Sequence, residues 1–162
     1  MQLLLLRHGD AVTHASDDAS RQLSPLGEHH AQIAARTLTR LQIVPRHIFS
    51  SPFARAQQTA RIIQKDLDLH EVRITEYLTP TADPRQLVQE LNERSSPSAL
   101  LVGHLPGLQI FASLLVSGTR QAGIRVNTGT LIAIETPPRI EYGTCELKWL
   151  LSYEQMKAMI PE

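Results

Sequence analysis

Three short segments of this 162-residue chain carry side chains able to grip and transfer an anionic group. They are Arg7-His8-Gly9, Ser50-Ser51-Pro52 with Arg55 just beyond it, and Gly103-His104. A guanidinium is always charged and presents a planar fork of donors that fits phosphate or carboxylate oxygens. Two such cations packed at a buried edge repel each other, so the free site is costly unless an anion fills it. An imidazole among them has its charged form disfavoured and stays neutral and nucleophilic near neutral pH. A neutral nucleophile inside a phosphate cage is what phosphoryl transfer through a covalent phosphohistidine requires. Singly, each residue has a structural reading: His104 as a satisfied core histidine, Arg55 as a solvated charge. Joint placement after three separate strands is what argues for a shared site.

The elements that must position these residues are legible in outline. Leu3 to Leu6 is a continuous apolar run, as expected of a strand buried on both faces. A polar loop spans Asp10 to Arg21. Ser24-Pro25 is a helix start with an N-cap and a proline at the first helical position, and apolar residues recur at helical spacing from Leu26 to Leu41. His47 to Ser50 is a second strand. Ser51-Pro52 repeats the cap-plus-proline device ahead of a helix marked by Ala56, Ala60, Ile63 and Leu67. Val72 to Thr75 predicts a third strand, Asp83-Pro84 the start of a helix, Ala99 to Val102 a fourth strand, and Leu108 to Val116 a helix. Leu131–Ile134 and Glu146–Leu151 predict a closing hairpin, followed by a short helix over 154–159. This alternation predicts an α/β three-layer sandwich with a mainly parallel central sheet and a late antiparallel portion. Open sheets of this kind bind ligands beyond the carboxyl ends of their strands, which is where all three segments fall.

Composition bounds the rest. Hydrophobic residues make up 42% and charged residues 20%, ordinary for a globular chain. The length suits one domain spanning 1–162. Lys plus Arg and Asp plus Glu balance at 16 each, which argues against a nucleic-acid partner held by bulk charge. The single cysteine, Cys145, excludes an internal disulfide framework and fits a reducing compartment. The apolar start ends at Arg7 after four leucines, too short for a signal peptide or membrane span; a cytoplasmic location and no membrane partner are expected. No Gly-x-x-x-x-Gly-Lys loop and no histidine pair with metal-ligand spacing beside a carboxylate are present, so neither cofactor nor metal is expected. His14, His29, His30, His47 and His70 read as structural or surface residues.

The motifs resemble a known family. Leu6-Arg7-His8-Gly9, Ser50-Ser51-Pro52-x-x-Arg55-Ala56-x-Gln58-Thr59 and the late Val102-Gly103-His104 resemble the histidine phosphatase superfamily, which has the phosphoglycerate mutase-like fold. Asp10-Ala11, Ser16-Asp17-Asp18, Arg21-x-Leu23-Ser24-x-x-Gly27, Leu78-Thr79-Pro80 and His104-Leu105-Pro106 narrow the resemblance to the SixA-type phosphohistidine phosphatases. The resemblance implies that His8 takes the phosphoryl group and that Arg7 and Arg55 hold its oxygens. It also implies that His104 is the second pocket histidine and contacts the phosphoryl group, a protonated ring being one way to do so. Arg21 and the backbone N–H of Leu105 become further anion contacts, although Arg21 equally suits a loop-pinning ion pair with Asp17 or Asp18.

One departure bears on substrate. Many branches of the superfamily add an acid that protonates the leaving oxygen of a phosphate ester, and an inserted segment over the pocket. Here the insertion is absent, and Glu76 and Asp10 are the candidate acids. A missing acid suits cleavage of an N–P bond, because phosphohistidine is a high-energy phosphoramidate. The expected function is therefore removal of phosphate from a phosphohistidine on a protein such as a histidine phosphotransfer domain. The alternatives are a phosphomonoesterase acting on a small phosphate ester and a non-catalytic phosphate-binding module.

Overall fold

Leu3, Leu4, Leu5 and Leu6 are at most 1% exposed, because the strand they form, β1 (Gln2–Arg7), lies inside the sheet. The computed structural model describes residues 1–94 and 96–160. After β1 come α1 (Pro25–Arg40), β2 (His47–Ser50), α2 (Ala54–Asp66), β3 (Val72–Ile74), α3 (Pro84–Arg94), β4 (Ser98–Gly103) and α4 (Gly107–Ser117). The hairpin strands β5 (Leu131–Glu135) and β6 (Glu146–Leu151) precede α5 (Tyr153–Met159). The six strands run in the order β3-β2-β4-β1-β5-β6. β3, β2, β4 and β1 are parallel, β5 pairs antiparallel with β1, and β6 antiparallel with β5. The α/β three-layer sandwich with its late antiparallel portion is thus present.

Side chains alternate across the sheet, so the leucine run feeds two cores. Leu4 and Leu6 pack with Ile33, Leu38, Ala60 and Met156 beneath α1, α2 and α5. Leu3 and Leu5 pack with Leu87, Leu91, Phe111 and Leu115 beneath α3 and α4. Ser24 caps α1 as expected, its Oγ accepting from the Gly27 amide at 3.1 Å. The second cap-plus-proline reading is corrected. α2 begins at Ala54 with Phe53 as its N-cap and no side-chain cap bond. Ser51 is kept for another partner, described below.

The loop after β1 turns back hard against the start of α1. A Cβ added at Gly27 would lie 1.9 Å from the Asp10 carbonyl oxygen, and one at Gly9 would lie 2.2 Å from the Gly27 oxygen. Two backbones touch here, and only hydrogen at both Cα positions lets them. Gly27→Ala is expected to cost about 1–3 kcal/mol of stability, the usual price of overpacking, measured by denaturant unfolding. An unchanged midpoint would show that this contact does not constrain the loop.

Candidate active site

Strand register brings the two imidazoles together. β1 and β4 pair in parallel with Arg7 opposite Gly103, and the His8 amide extends the ladder to the Gly103 carbonyl at 3.0 Å. The next residues, His8 and His104, therefore leave the sheet side by side, with ring centroids 4.9 Å apart. β2 reaches the same level, since the Ser51 amide bonds the Val102 carbonyl at 3.1 Å. Ser51 Oγ then lies 2.8 Å from His104 Nε2, and Phe53 packs against the same ring at 4.9 Å between centroids. The first turn of α2 delivers Arg55, whose Nε donates to His8 Nε2 at 3.2 Å.

That contact identifies which ring nitrogen of His8 carries the lone pair. His8 Nδ1 lies 2.6 Å from the Gly9 carbonyl oxygen, which can only accept, so Nδ1 carries the proton and Nε2 the lone pair. Burial pushes the His8 pKa down to about 4, with Arg55, Arg7 and Arg21 adding to the depression against the opposing Gly9 carbonyl. Burial, then His8 and Arg55, push His104 down to about 3. Both rings are neutral at neutral pH in the free protein, His104 included, so any proton it uses must arrive with the anion.

The guanidiniums approach from different elements. Arg55 is 5% exposed; one terminal nitrogen donates to the Asp18 carbonyl and the other to Asp18 Oδ2 at 3.1 Å. Arg7 donates through one terminal nitrogen to the Val126 carbonyl at 3.0 Å. Its Nε is buried without a partner, as is His104 Nδ1. A buried polar atom left unpaired costs roughly 1–3 kcal/mol, and an oxyanion could satisfy both. Arg7, His8, Arg21, Arg55, His104 and Leu105 all line one cavity of about 250 Å³, together with Asp10, Ala11 and Thr128.

The remaining candidates sort unevenly. Arg21 lines the cavity and also pairs with Asp18, its terminal nitrogen 3.1 Å from Oδ1. Asp10 lines the cavity, but its Oδ2 accepts the Ser24 hydroxyl at 2.6 Å. Glu76 lies on an exposed single 3₁₀ turn and is not among the cavity-lining residues. Among the described residues no group of three His, Cys, Asp or Glu could hold a metal ion, and no helix is long and apolar enough to cross a membrane.

Sequence reasoning missed how the site is held. Thr59 Oγ1 accepts from the Gly9 amide at 3.1 Å, and Gln58 Oε1 from the Leu23 amide at 2.7 Å. Both belong to the Gln-Thr pair of the second motif, which was the available signal. His30 Nδ1 accepts from the Asp10 amide at 3.3 Å and its ring packs on Tyr153.

Comparisons with known proteins bear on this cluster. The sequence profile described as histidine phosphatase superfamily (branch 1) matches residues 3–80. The phosphohistidine phosphatase SixA of Escherichia coli strain K12 is 31% identical over 110 residues, 65% of this chain and 68% of that protein. The chain belongs to the histidine phosphatase superfamily. Within it the chain is SixA-type, and a solved protein histidine phosphatase SixA, complexed with tungstate, superposes with a TM-score of 0.86. That pair shares 25% identity over 94% of this chain and 97% of the other. The α-ribazole phosphatase of Shigella flexneri shares the fold, with a TM-score of 0.70 at 21% identity over 94% of this chain and 97% of that one. Superfamily membership and likeness to SixA make this SixA-type chain a phosphatase, a hydrolase of phosphoryl groups.

Two expectations follow from the charge arrangement. Because the folded His8 pKa is about 4 against 6.5 unfolded, the unfolded state binds more protons between these values. Stability therefore falls as pH drops through that window, and nitrogen NMR should show no titration of either ring above about pH 5. A ring titrating near its ordinary value would contradict the buried cationic setting. Asp18 competes with any incoming anion for Arg55 and Arg21. Asp18→Asn is expected to bind orthophosphate about two- to fivefold more tightly by calorimetry, the scale of an exposed ion pair. Weaker binding would show that Asp18 instead holds Arg55 ready.

Proposed function

We propose that this chain is a metal-independent phosphohistidine phosphatase acting on a phosphorylated protein, within a single domain spanning 1–162. The observation that supports it is the His8 ring: neutral, with its Nε2 lone pair marked by Arg55 and facing a cage of fixed cations. In the reaction, Nε2 attacks the substrate phosphorus in line while the N–P bond to the substrate imidazole breaks. That leaving nitrogen keeps the electron pair and takes a proton from solvent. Arg7, Arg55 and His104 hold the equatorial oxygens, with Arg21 and the Leu105 amide as further contacts. Water then attacks the phosphorus, the His8–phosphorus bond breaks, and orthophosphate leaves with the proton balance restored from water.

Three features support phosphohistidine over a phosphate ester. Asp10 is engaged by Ser24, Glu76 is exposed outside the cavity, and the SixA relatives are named for phosphohistidine and protein histidine substrates. The tungstate in the related SixA structure is a tetrahedral oxyanion, consistent with an oxyanion as the natural occupant here.

Rapid quench with a phosphorus-labelled phosphohistidine protein should trap label on His8 as an acid-labile, base-stable adduct. His8→Ala should lose at least about a thousandfold in kcat, as expected on removing a nucleophile, with unfolding cooperativity kept. Stoichiometric phosphate binding without turnover would support the non-catalytic module instead. Full activity in chelator is expected, and restoration by added divalent metal would overturn metal independence.

A further inference from the structure

Beside the cage lies a second hollow of about 380 Å³, which shares Arg7 and Leu105 with it and is otherwise walled by Gln109 of α4 and the segment 123–127. That segment has no regular secondary structure, yet its burial alternates: Ile124 and Val126 point into the core, while Gly123, Arg125 and Asn127 are exposed. It is tied to the phosphate cage at two points. Val126 gives its carbonyl to Arg7, and the Gly129 amide donates to the carbonyls of Arg7 and His8 at 3.1 and 3.3 Å. Thr128, between these ties, lines the cage itself. The segment is therefore one wall shared by both hollows, and its position is coupled to the residues proposed to handle the phosphoryl group.

The chemistry of the second hollow is one-sided. Arg125 is exposed and makes none of the salt bridges found among the described residues. No carboxylate lines the hollow, and its polar side chains are a guanidinium and two carboxamides besides Arg7. Of the arginines that line the cage, by contrast, Arg21 and Arg55 are paired with Asp18 and Arg7 is held by a carbonyl. A cation beside the phosphate cage that joins no ion pair among the described residues offers complementarity to an incoming acidic group.

We propose that this hollow is a substrate-recognition subsite, in which Arg125, with Gln109 and Asn127, binds a carboxylate side chain flanking the phosphohistidine of the protein substrate. The inference rests on the proposed phosphohistidine reading. The phosphoryl group would occupy the cage, the substrate imidazole its mouth, and an Asp or Glu close by on the substrate surface the second hollow. Such a contact is made with the substrate outside the reacting bonds, so it acts on KM and on choice among substrates rather than on the chemical step.

Two synthetic peptides of identical length, each with one phosphohistidine, provide the test: one flanked by glutamates, the other by lysines. Both turnover and inhibition of aryl phosphate hydrolysis would be measured for the native chain, Arg125→Ala and Arg125→Glu. The native protein is expected to favour the acidic peptide about three- to fivefold in kcat/KM, the scale of one exposed ion pair. The preference should lie in KM, vanish in Arg125→Ala and reverse in Arg125→Glu. An equal response of the native protein to both peptides, or a preference that survives in both variants, overturns the subsite. Turnover of neither peptide defeats the phosphohistidine reading itself. Even then, unequal inhibition that tracks the Arg125 variants upholds the acidic subsite, and equal inhibition overturns it.

Discussion

Two permanent positive charges and a neutral imidazole must share one buried sheet edge, and most of the local structure manages that crowding. Arg55 and Arg7 solve it differently. Arg55 is almost fully enclosed and uses its donors on His8 and on the carbonyl and carboxylate of Asp18. Arg7 is half-buried, is held by a single carbonyl, and keeps an unpaired Nε. Burial and the nearby Arg55 both lower the Arg7 pKa, the same repulsion seen from the other partner. A guanidinium stays protonated regardless, so the strain is expressed as a standing demand for an anion. Donors fixed before the substrate arrives need no reorganisation at the moment of reaction, which is the main source of electrostatic catalysis.

Precision comes from the sheet and not from the loops. The level of His8 against His104 is set by parallel pairing along the whole of β1 and β4, so it cannot slip without turning the leucine run inside out. Helix α2 then indexes itself to this edge twice. Arg55 reaches the His8 ring, and one turn later Thr59 holds the Gly9 amide while its hydroxyl donates to the Arg55 carbonyl at 2.8 Å. The His8 segment and the Arg55 guanidinium are thus referenced to one rigid helix. Among the loop residues, Asp18 and Arg21 form ion pairs at the more exposed side of the cage, and Val126 lends Arg7 a carbonyl.

The fold and the four central residues were legible because they depend on strong local signals. A four-leucine strand, proline-marked helix starts and charged residues directly after strands survive any detail of packing. The loop roles were not legible, because they depend on distances set by the finished fold. Ser51 looked like a helix cap, since Ser-Pro before an apolar period is the same string whether the serine faces its own helix or a neighbouring histidine. Asp18 was visible as a partner for Arg21, yet its grip on Arg55 requires the loop to fold back over α2, where the Ala54 amide bonds the Ala19 carbonyl at 2.9 Å. The wall at 123–129 has no periodicity long enough to detect, and its link to Arg7 runs through a backbone carbonyl that any residue could supply.

The same geometry bears on why a phosphoramidate would suit this cage. Moving a phosphoryl group from a substrate imidazole to His8 breaks one N–P bond and forms another of the same kind, so the first step is close to even in free energy. Moving it from an alkyl ester breaks a stable O–P bond and expels an alkoxide, which demands a proton at the instant of cleavage. Of the two candidate carboxylates, Asp10 already accepts the Ser24 hydroxyl that caps α1, and Glu76 is exposed and does not line the cavity. Under the proposed mechanism, the even exchange of N–P bonds and the engagement of Asp10 by Ser24 favour the same substrate class.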